Sequence, residues 1–537
     1  MAFTSGYPAK PRPYASLLVA CLFLVVVVLI ITLYSAAQCS FLFRRGLTCT
    51  PPETPTVQGT KVYARSDAEY VAGCARDWRG HLRTKSAPLD SQWLALHETA
   101  ADVTLLGPDG TPVPLEKVGT LQLLNNTAYK FEAQHSGAYK LLVSNEPVSE
   151  FALHPSDCYC PTGFAQFLDR YECTAEMGEH VREMMARWRP GSITREMLAY
   201  PIDVQLSTHS YILQFAIINN KLYCKLQDGQ NCPLPTEGFW FVGLDPQIRL
   251  IQAILRKTRI PDMLFFWNQA DNPMLHHYAM QPIFSPSSAE WFADLLFPVF
   301  NMITDKFDGN DVTSAATATP WEERRDVAYF VGHLTGQPQT QAYGSHLINP
   351  RLRAAEIALE RPDLLDVSVT VSEDQGKDHP EYIKELLDRG VVQKEYKQDQ
   401  RGAAKYVIDL PGNSAAWRLG SRLGDGAVTL KSLTAWNEFW HYLLEPGKNI
   451  LMIGEWPDDL VEKVEAAKKH DSEMRCVARA AQVVAFTRLR QEDLLCWTAL
   501  NLHHLSTKYA FTPNLTISEW HEIPVEHRDP EKCRCTT

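Results

Sequence analysis

Apolar and polar positions change rhythm several times along the chain. From Ser16 to Tyr34, nineteen residues carry no charge and are mostly apolar, long enough to cross a bilayer as a helix. Residues 38–60 turn Pro- and Thr-rich and read as a stem, and 61–95 read as helical pieces around Cys74 and Trp78. Over 96–152 the runs VTLLGPDGTPVPL, GTLQLLNNTAYKFEA and GAYKLLVSNE alternate with turn residues. They predict a small β-rich module, shorter than a sandwich of ~100 residues. From residue 155 the pattern is α/β. Ile248, Ile251 and Leu255 share a helix face within Gln247–Lys257, with Ile254 beside them. Ile260-Pro261-Asp262 ends that helix, and Met263–Trp267 is an unbroken apolar run suited to a buried parallel strand. Asp271 then falls just past a strand's carboxyl end, where open α/β sheets place ligand chemistry. Phe439–Leu444 and Asp459–Arg488 read as helices, the second long and amphipathic.

The stretch Lys405–Lys431 carries the most chemistry. Lys405–Leu410 reads as a strand, Pro411-Gly412-Asn413 as a turn, and Ser414 as the cap of a short helix. Gly424-Asp425-Gly426 ends the helix, and Ala427–Leu430 starts the next strand. A helix N-terminus after a strand presents free backbone N–H groups and a positive dipole end, which suit phosphate. Arg418 adds a planar cation able to hold two phosphate oxygens at once. An ordinary βαβ unit with a solvated arginine has the same spacing, since there is no GxGxxG or P-loop.

Five blocks in order resemble the protein O-glucosyltransferase (Rumi) and capsule-associated glycosyltransferase family. They are Gly191–Met197 with Asn220–Tyr223, then Ile260–Pro273, then Pro282–Ser285 through Asp294–Pro298, then Trp321–Gly336, then Lys405–Lys431. The resemblance spans roughly residues 155–510. It implies two Rossmann-like α/β halves facing a cleft (the GT-B arrangement) and inverting transfer from UDP-glucose or UDP-xylose. Asp271 matches the family's catalytic base, and Arg418 its diphosphate clamp. Backbone groups of Ser414, Ala415 and Trp417, with Gly332, His333, Lys405 and Gly426, complete the implied donor site. Asp262 reads as structural. Phe330-Val331-Gly332-His333 departs from the family's "FRGS", whose arginine contacts the donor phosphates. His333, Arg324 and Arg325 are candidates to compensate, and an arginine restored at position 331 is expected to tighten UDP binding if this position still faces the diphosphate. The resemblance also implies a Cys158–Cys496 bridge; Cys224 and Cys232 are close enough in sequence to close a local loop.

Charge and cysteines narrow the setting. The 537 residues carry a formal net charge of −11 with no long basic run, which argues against nucleic acid as a partner. Of 13 cysteines, 11 lie from Cys49 onward, without paired zinc-site spacing, and the sequons at Asn125 and Asn514 share that portion. Disulfides in an oxidising lumen account for them. The apolar run exceeds a signal peptide's usual core of about 7–15 residues. The expected layout is a cytosolic tail (1–14), a signal-anchor (15–37), a stem and helical region (38–95), a β module (96–152), a catalytic domain (153–515) and a tail (516–537). That layout is the one expected of a type II membrane protein of the Golgi or endoplasmic reticulum, with its catalytic body in the lumen.

There is no GxSxG, HExxH or Walker loop, and the pairs His276-His277 and His503-His504 lack metal-ligand spacing. No DxD triplet occurs, so no metal cofactor is expected and Arg418 would carry the electrostatic work. The partners expected are a UDP-sugar and a protein or glycan acceptor. The alternative function is a catalytically inactive sugar- or protein-binding member of the same fold, and a further rival is an adhesion protein built on the β module.

Overall fold

The computed structural model describes residues 102–124, 126–132, 135–153, 158–199, 212–225, 239–273, 281–336, 349–371, 380–397, 400–516 and 519–524, plus the backbone of strands 62–64 and 93–97. The expected signal-anchor, stem, Asn125 and Cys232 lie outside them. Among the described residues no helix is long and apolar enough to cross a membrane.

The N-terminal β module consists of two antiparallel four-stranded sheets. One orders β1 (Val62–Ala64), β2 (Trp93–His97), β6 (Asn126–Lys130) and β5 (Glu116–Leu121). The other orders β4 (Pro112–Val113), β3 (Val103–Leu106), β7 (Gly137–Val143) and β8 (Glu146–Leu153). Residues 61–95, expected to be helical, contribute β1 and most of β2 instead. Trp-Leu-Ala-Leu-His from 93 to 97 is a short, mostly apolar run, and it pairs along its full length with β6. Ser144 and Asn145, both at positive φ (51° and 67°), close the β7–β8 hairpin. Leu105, Phe131, Tyr139, Leu141 and Phe151 form the module's own core. Leu121, Leu124 and Ala128 pack into the main core of the body.

The body contains two α/β halves. The first sheet orders β13 (Leu295–Leu296), β12 (Ile283–Ser285), β11 (Met263–Asn268), β9 (Ile212–Ile218), β10 (Lys221–Lys225) and β19 (Trp520–Ile523). It is mixed: β11 runs parallel to β12 and antiparallel to β9. The β9–β10 turn places Asn219 and Asn220 at positive φ (50° and 61°). Asp262 accepts a hydrogen bond from the Asn219 N–H at 2.7 Å, a structural role. Every residue of β11 is buried, and the helix Phe239–Lys257 covers the sheet through Leu250, Ile251 and Ile254. The strand β19 lies within 516–537, so the expected C-terminal tail supplies an edge of this sheet by pairing with β10.

The second sheet is wholly parallel, in the order β15 (Leu365–Thr370), β14 (Arg325–His333), β16 (Ala404–Asp409), β17 (Val428–Ser432), β18 (Leu451–Ile453). In chain order this is 2-1-3-4-5, a doubly wound sheet whose direction of winding reverses between β14 and β16. Helices on both faces leave β17 buried along its length. The expected long helix Asp459–Arg488 is two, Leu460–Lys469 and Asp471–Thr487, interrupted at His470 (φ −120°, ψ 44°). The helix Gln491–Ser506 returns to the first half's core. It is fixed there by a Cys173–Cys496 disulfide, so the expected Cys158–Cys496 bridge does not form. The turn after the helix Phe164–Arg170 lies against Cys496, whose Sγ also approaches the Tyr171 carbonyl at 3.6 Å. Cys158, Cys160, Cys224 and Cys476 are disulfide-bonded as well.

Candidate active site

The carboxyl ends of β14 and β16 mark the winding switch, and the loop after β11 meets them. Asn268 ends β11 with a buried side chain. Its Nδ2 donates to the Asn272 carbonyl at 2.8 Å and to Ser285 Oγ at 3.0 Å, while its Oδ1 accepts from the Ala270 N–H at 2.9 Å. These bonds fold residues 268–272 into a fixed loop that projects Asp271. Ser287 Oγ donates to the Asp271 carbonyl at 3.0 Å, leaving the carboxylate free to turn outward. There it accepts a 2.9 Å hydrogen bond from Asn413 Nδ2. Asn413 Oδ1 in turn accepts from the Gly336 N–H at 3.1 Å. One side chain thus joins the loops that follow β11, β14 and β16.

Two guanidinium groups stand behind this junction. Arg351, only 6% exposed, donates from Nη1 to the His333 carbonyl and Thr335 Oγ1 (both 2.6 Å), from Nε to the Pro411 carbonyl (3.1 Å) and from Nη2 to the Leu410 carbonyl (3.2 Å). It pins the carboxyl ends of β14 and β16 together. None of these partners is a carboxylate. Burial pushes its pKa down to about 9, aided by repulsion from Arg418 and Arg422. Arg418 is the second cation. Its Nη2 lies 2.9 Å from where a Cβ on Gly332 would stand, so glycine admits the guanidinium over the end of β14. Arg418 Nη1 reaches the half-exposed Tyr396 hydroxyl at 3.4 Å. The Tyr396 ring lies 5.1 Å from that of His333. His333 titrates below the ordinary histidine range, because its ring is partly desolvated and Arg418 and Arg351 repel a further proton.

Asp271, Arg418, Gly332 and His333 therefore converge, whereas other expected donor residues do not. Lys405 is the second residue of β16, at the amino end of the sheet. It pairs with Asp471 at 2.6 Å and lies 5.4 Å over the Trp321 ring. Gly426, at φ 71°, turns the chain into the amino end of β17 and has no room for a Cβ beside Gln482. Arg324 binds the Thr319 and Asp425 carbonyls and Arg325 pairs with Asp366, both at the amino end of β14. Eight residues of strand, about 26 Å, separate Arg325 from His333, so neither arginine compensates for Val331.

Ser414 does not cap a helix. The chain turns back through a Gly412 N–H to Ser414 carbonyl bond (3.0 Å), and the helix starts only at Leu419 with Arg418 as its N-cap. Ala415 and Trp417 thus lie in irregular chain, Trp417 edge-on to Phe300 at 5.5 Å. Ser414 Oγ is buried with no hydrogen-bond partner among the described residues. Asn514 is exposed and its Oδ1 accepts from Arg195 Nη1 at 3.1 Å.

The reading of the sequence missed Asn268, Arg351, Tyr396 and the bridging role of Asn413. Asn413 was visible only as a turn residue. Arg351 left a signal of sorts, Asn349-Pro350 opening a helix, and Asn349 Oδ1 indeed caps it by accepting from the Arg351 and Leu352 N–H groups at 2.9 and 3.3 Å. Among the described residues no group of three or more His, Cys, Asp or Glu converges as a metal site.

Chemically, the site brings a carboxylate together with cations, an arrangement able to supply a base and charge for a departing anion. Protein O-glucosyltransferase 2 of Danio rerio is 23% identical over 382 residues, covering 69% of this chain and 69% of that protein. Protein O-glucosyltransferase 3 of Homo sapiens is 23% identical over 271 residues, but the match spans only 47% of its length and 46% of this chain. O-glucosyltransferase rumi of Drosophila melanogaster is 22% identical over 335 residues, covering 58% of this chain and 72% of that protein. Among solved structures, Anabaena HepE in complex with UDP and glucose is similar at 13% identity and a TM-score of 0.23, over 35% of this chain and 48% of that one. A sucrose-phosphate synthase from Thermosynechococcus elongatus matches at 10% identity and a TM-score of 0.24, over 37% and 47%. The profile of glycosyl transferase family 90 matches residues 170–519, well over half of the 537, and the chain belongs to that family.

Proposed function

We propose that this family member is a luminal, membrane-anchored inverting glycosyltransferase of GT-B arrangement. It moves glucose or xylose from a UDP-sugar to a hydroxyl of a protein or glycan, without a metal ion. The observation that carries the reading is the Asp271–Asn413 hydrogen bond, which sets a carboxylate of the first half against the cation-lined end of the second sheet. In this reading Asp271 removes the acceptor proton as its oxygen attacks the anomeric carbon. Arg418 then balances the charge growing on the departing UDP, with Arg351 adding positive potential from behind. The names of the relatives make UDP-glucose the first donor to test. The signal-anchor, the sequons and the cysteines support the luminal placement.

The test is UDP release from a panel of UDP-sugars by the full-length protein, with water or an added acceptor. Asp271→Asn keeps an oxygen to accept from Asn413 but loses the basic lone pair. Its turnover is expected to fall at least ~100-fold while UDP affinity stays. Near-normal turnover in this variant refutes Asp271 as base. A second reading, sugar or protein binding without transfer, draws on Val331, which leaves the family's phosphate-binding arginine absent. UDP affinity without turnover in the wild type selects it.

A further inference from the structure

The two halves meet again beside Asp271. Ser288, between β12 and β13, and Asn437, past β17, exchange backbone hydrogen bonds: Ser288 N–H to the Asn437 carbonyl at 3.0 Å and Asn437 N–H to the Ser288 carbonyl at 2.8 Å. The neighbour Ser287 is the residue that holds the Asp271 carbonyl. Aromatic rings stand on both sides of this bridge. Trp291 and Phe292 come from the first half and Trp436 from the second. Their centroids are 6.1 Å apart for Trp291–Trp436, 5.9 Å for Phe292–Trp436 and 6.2 Å for Trp291–Phe292. Trp291 is 47% exposed, and Trp436 and Phe292 are half-buried. Four residues of chain reach at most ~14 Å, so Trp291 stays within that distance of Ser287, and Trp436 adjoins the bridge itself.

We propose that Trp291 and Trp436 form a saccharide-stacking subsite that receives the sugar-bearing part of the acceptor, resting on the glycosyltransferase reading above. The two indole planes meet at 63°, making a corner rather than a flat patch. A pyranose ring has one apolar C–H face and a rim of hydroxyls. It matches an indole face bordered by polar groups. That border is present: Glu290 and Asn437 are exposed on either side, and Asn437 Oδ1 has no hydrogen-bond partner among the described residues. Three rings interrupted by these polar groups are too small for a protein interface, which needs about 800 Å² per partner. Chain continuity ties the corner to the Asp271 loop through Ser287 and the Ser288–Asn437 bridge, on the side from which an acceptor would reach the proposed base.

The experiment uses the full-length protein, with methyl β-glucoside, methyl β-xyloside and the disaccharide cellobiose as probes. Saturation-transfer NMR and indole fluorescence read binding directly, so turnover is not required. A saturable signal at about 1–10 mM is expected, weakened roughly tenfold or more by Trp291→Ala or Trp436→Ala and largely restored by Trp291→Phe. Melting curves check that each variant is folded, and Trp436→Leu, which keeps apolar bulk without an aromatic face, replaces any Trp436→Ala protein that is not. Wild-type protein that binds none of the probes, or binding that survives both substitutions, overturns the subsite. UDP affinity of the wild type is read separately by calorimetry. If glycosides bind through Trp291 while UDP does not bind at all, the subsite stands and the transferase reading falls.

Discussion

Gly332 offers a way to move Arg418 without deleting it. The residue lies within β14, where alanine is tolerated by the backbone, and it has no positive φ. A Cβ there would lie 2.9 Å from Arg418 Nη2, the far end of a flexible side chain, and 3.0 Å from Cζ of the buried Phe330 ring, which must give by a few tenths of an ångström. Gly332→Ala therefore displaces the guanidinium by roughly half an ångström or more, and the small shift it asks of Phe330 is checked by the melting curve of the variant. If Arg418 grips the diphosphate, its full loss in Arg418→Ala removes charge-assisted bonds worth about 1.5–3 kcal/mol, roughly 10- to 150-fold in UDP affinity. Gly332→Ala should lose at least about 1 kcal/mol of that, some fivefold. Calorimetric titration with UDP on wild type, both single variants and the double variant closes a thermodynamic cycle. Since Gly332→Ala acts through Arg418, it should have almost no effect in the Arg418→Ala background. Additive losses, or an unchanged Gly332→Ala protein, refute the assignment of Arg418 as the clamp.

Two other outcomes follow from the geometry. His333 sits low on the pH scale in the free protein because Arg418 and Arg351 face it. A bound diphosphate reverses that field and raises its pKa. A proton is then taken up on binding, and UDP-glucose affinity should rise as pH falls between about 7 and 5. His333→Gln should flatten the dependence, and an equally steep profile in that variant rejects the placement of His333. The Cys173–Cys496 bridge closes a loop of sequence separation 323, for which the loop-closure model gives about 5–6 kcal/mol of stability. Cys173→Ala with Cys496→Ala should shift the denaturant midpoint accordingly, and non-reducing peptide maps should recover the two residues linked.

Local grammar made much of the second half legible and little of the first. The strand–turn–strand order of Lys405–Lys431 emerges as β16 and β17, since a buried parallel strand needs an unbroken apolar run and shows one. Asp271 was legible for the same reason, sitting after the six buried residues of β11. Lys405 and Gly426 failed because a residue's nearness to a motif in sequence does not say which end of a parallel strand it occupies, and only carboxyl ends face the crevice. The Ser414 cap failed because the Gly412–Ser414 turn competes with helix initiation. Arg351 and Tyr396 reach the site from helices and loops far along the chain, contacts that no local pattern encodes. The disulfide shows the same limit: Cys158 and Cys173 are equally plausible partners for Cys496 by composition, and the packing of Tyr171 against Cys496 selects the second.

Val331 is where sequence and structure give opposite advice. Read along the motif, it is a lost cation, and restoring arginine should tighten the donor site. In the sheet, successive side chains of β14 point to opposite faces. Val331 is wholly buried in the cluster of Tyr329 and Ala404, flanked by Val327. Phe330 and Gly332 point the other way, and that is the face where positive charge has gathered. Arg351 lies 5.6 Å over the Phe330 ring, and Arg418 rests against Gly332. An arginine at 331 would place its charge among apolar groups, where the carboxylate on that face, Asp366, is already paired with Arg325 and Lys397; a buried charge left uncompensated costs about 3–5 kcal/mol. Val331→Arg should therefore lower the melting temperature and leave UDP affinity no better than in the wild type. A normally stable Val331→Arg protein that binds UDP more tightly would mean that the phosphates approach from the Tyr329 face, and that Arg351 and Arg418 serve the fold alone.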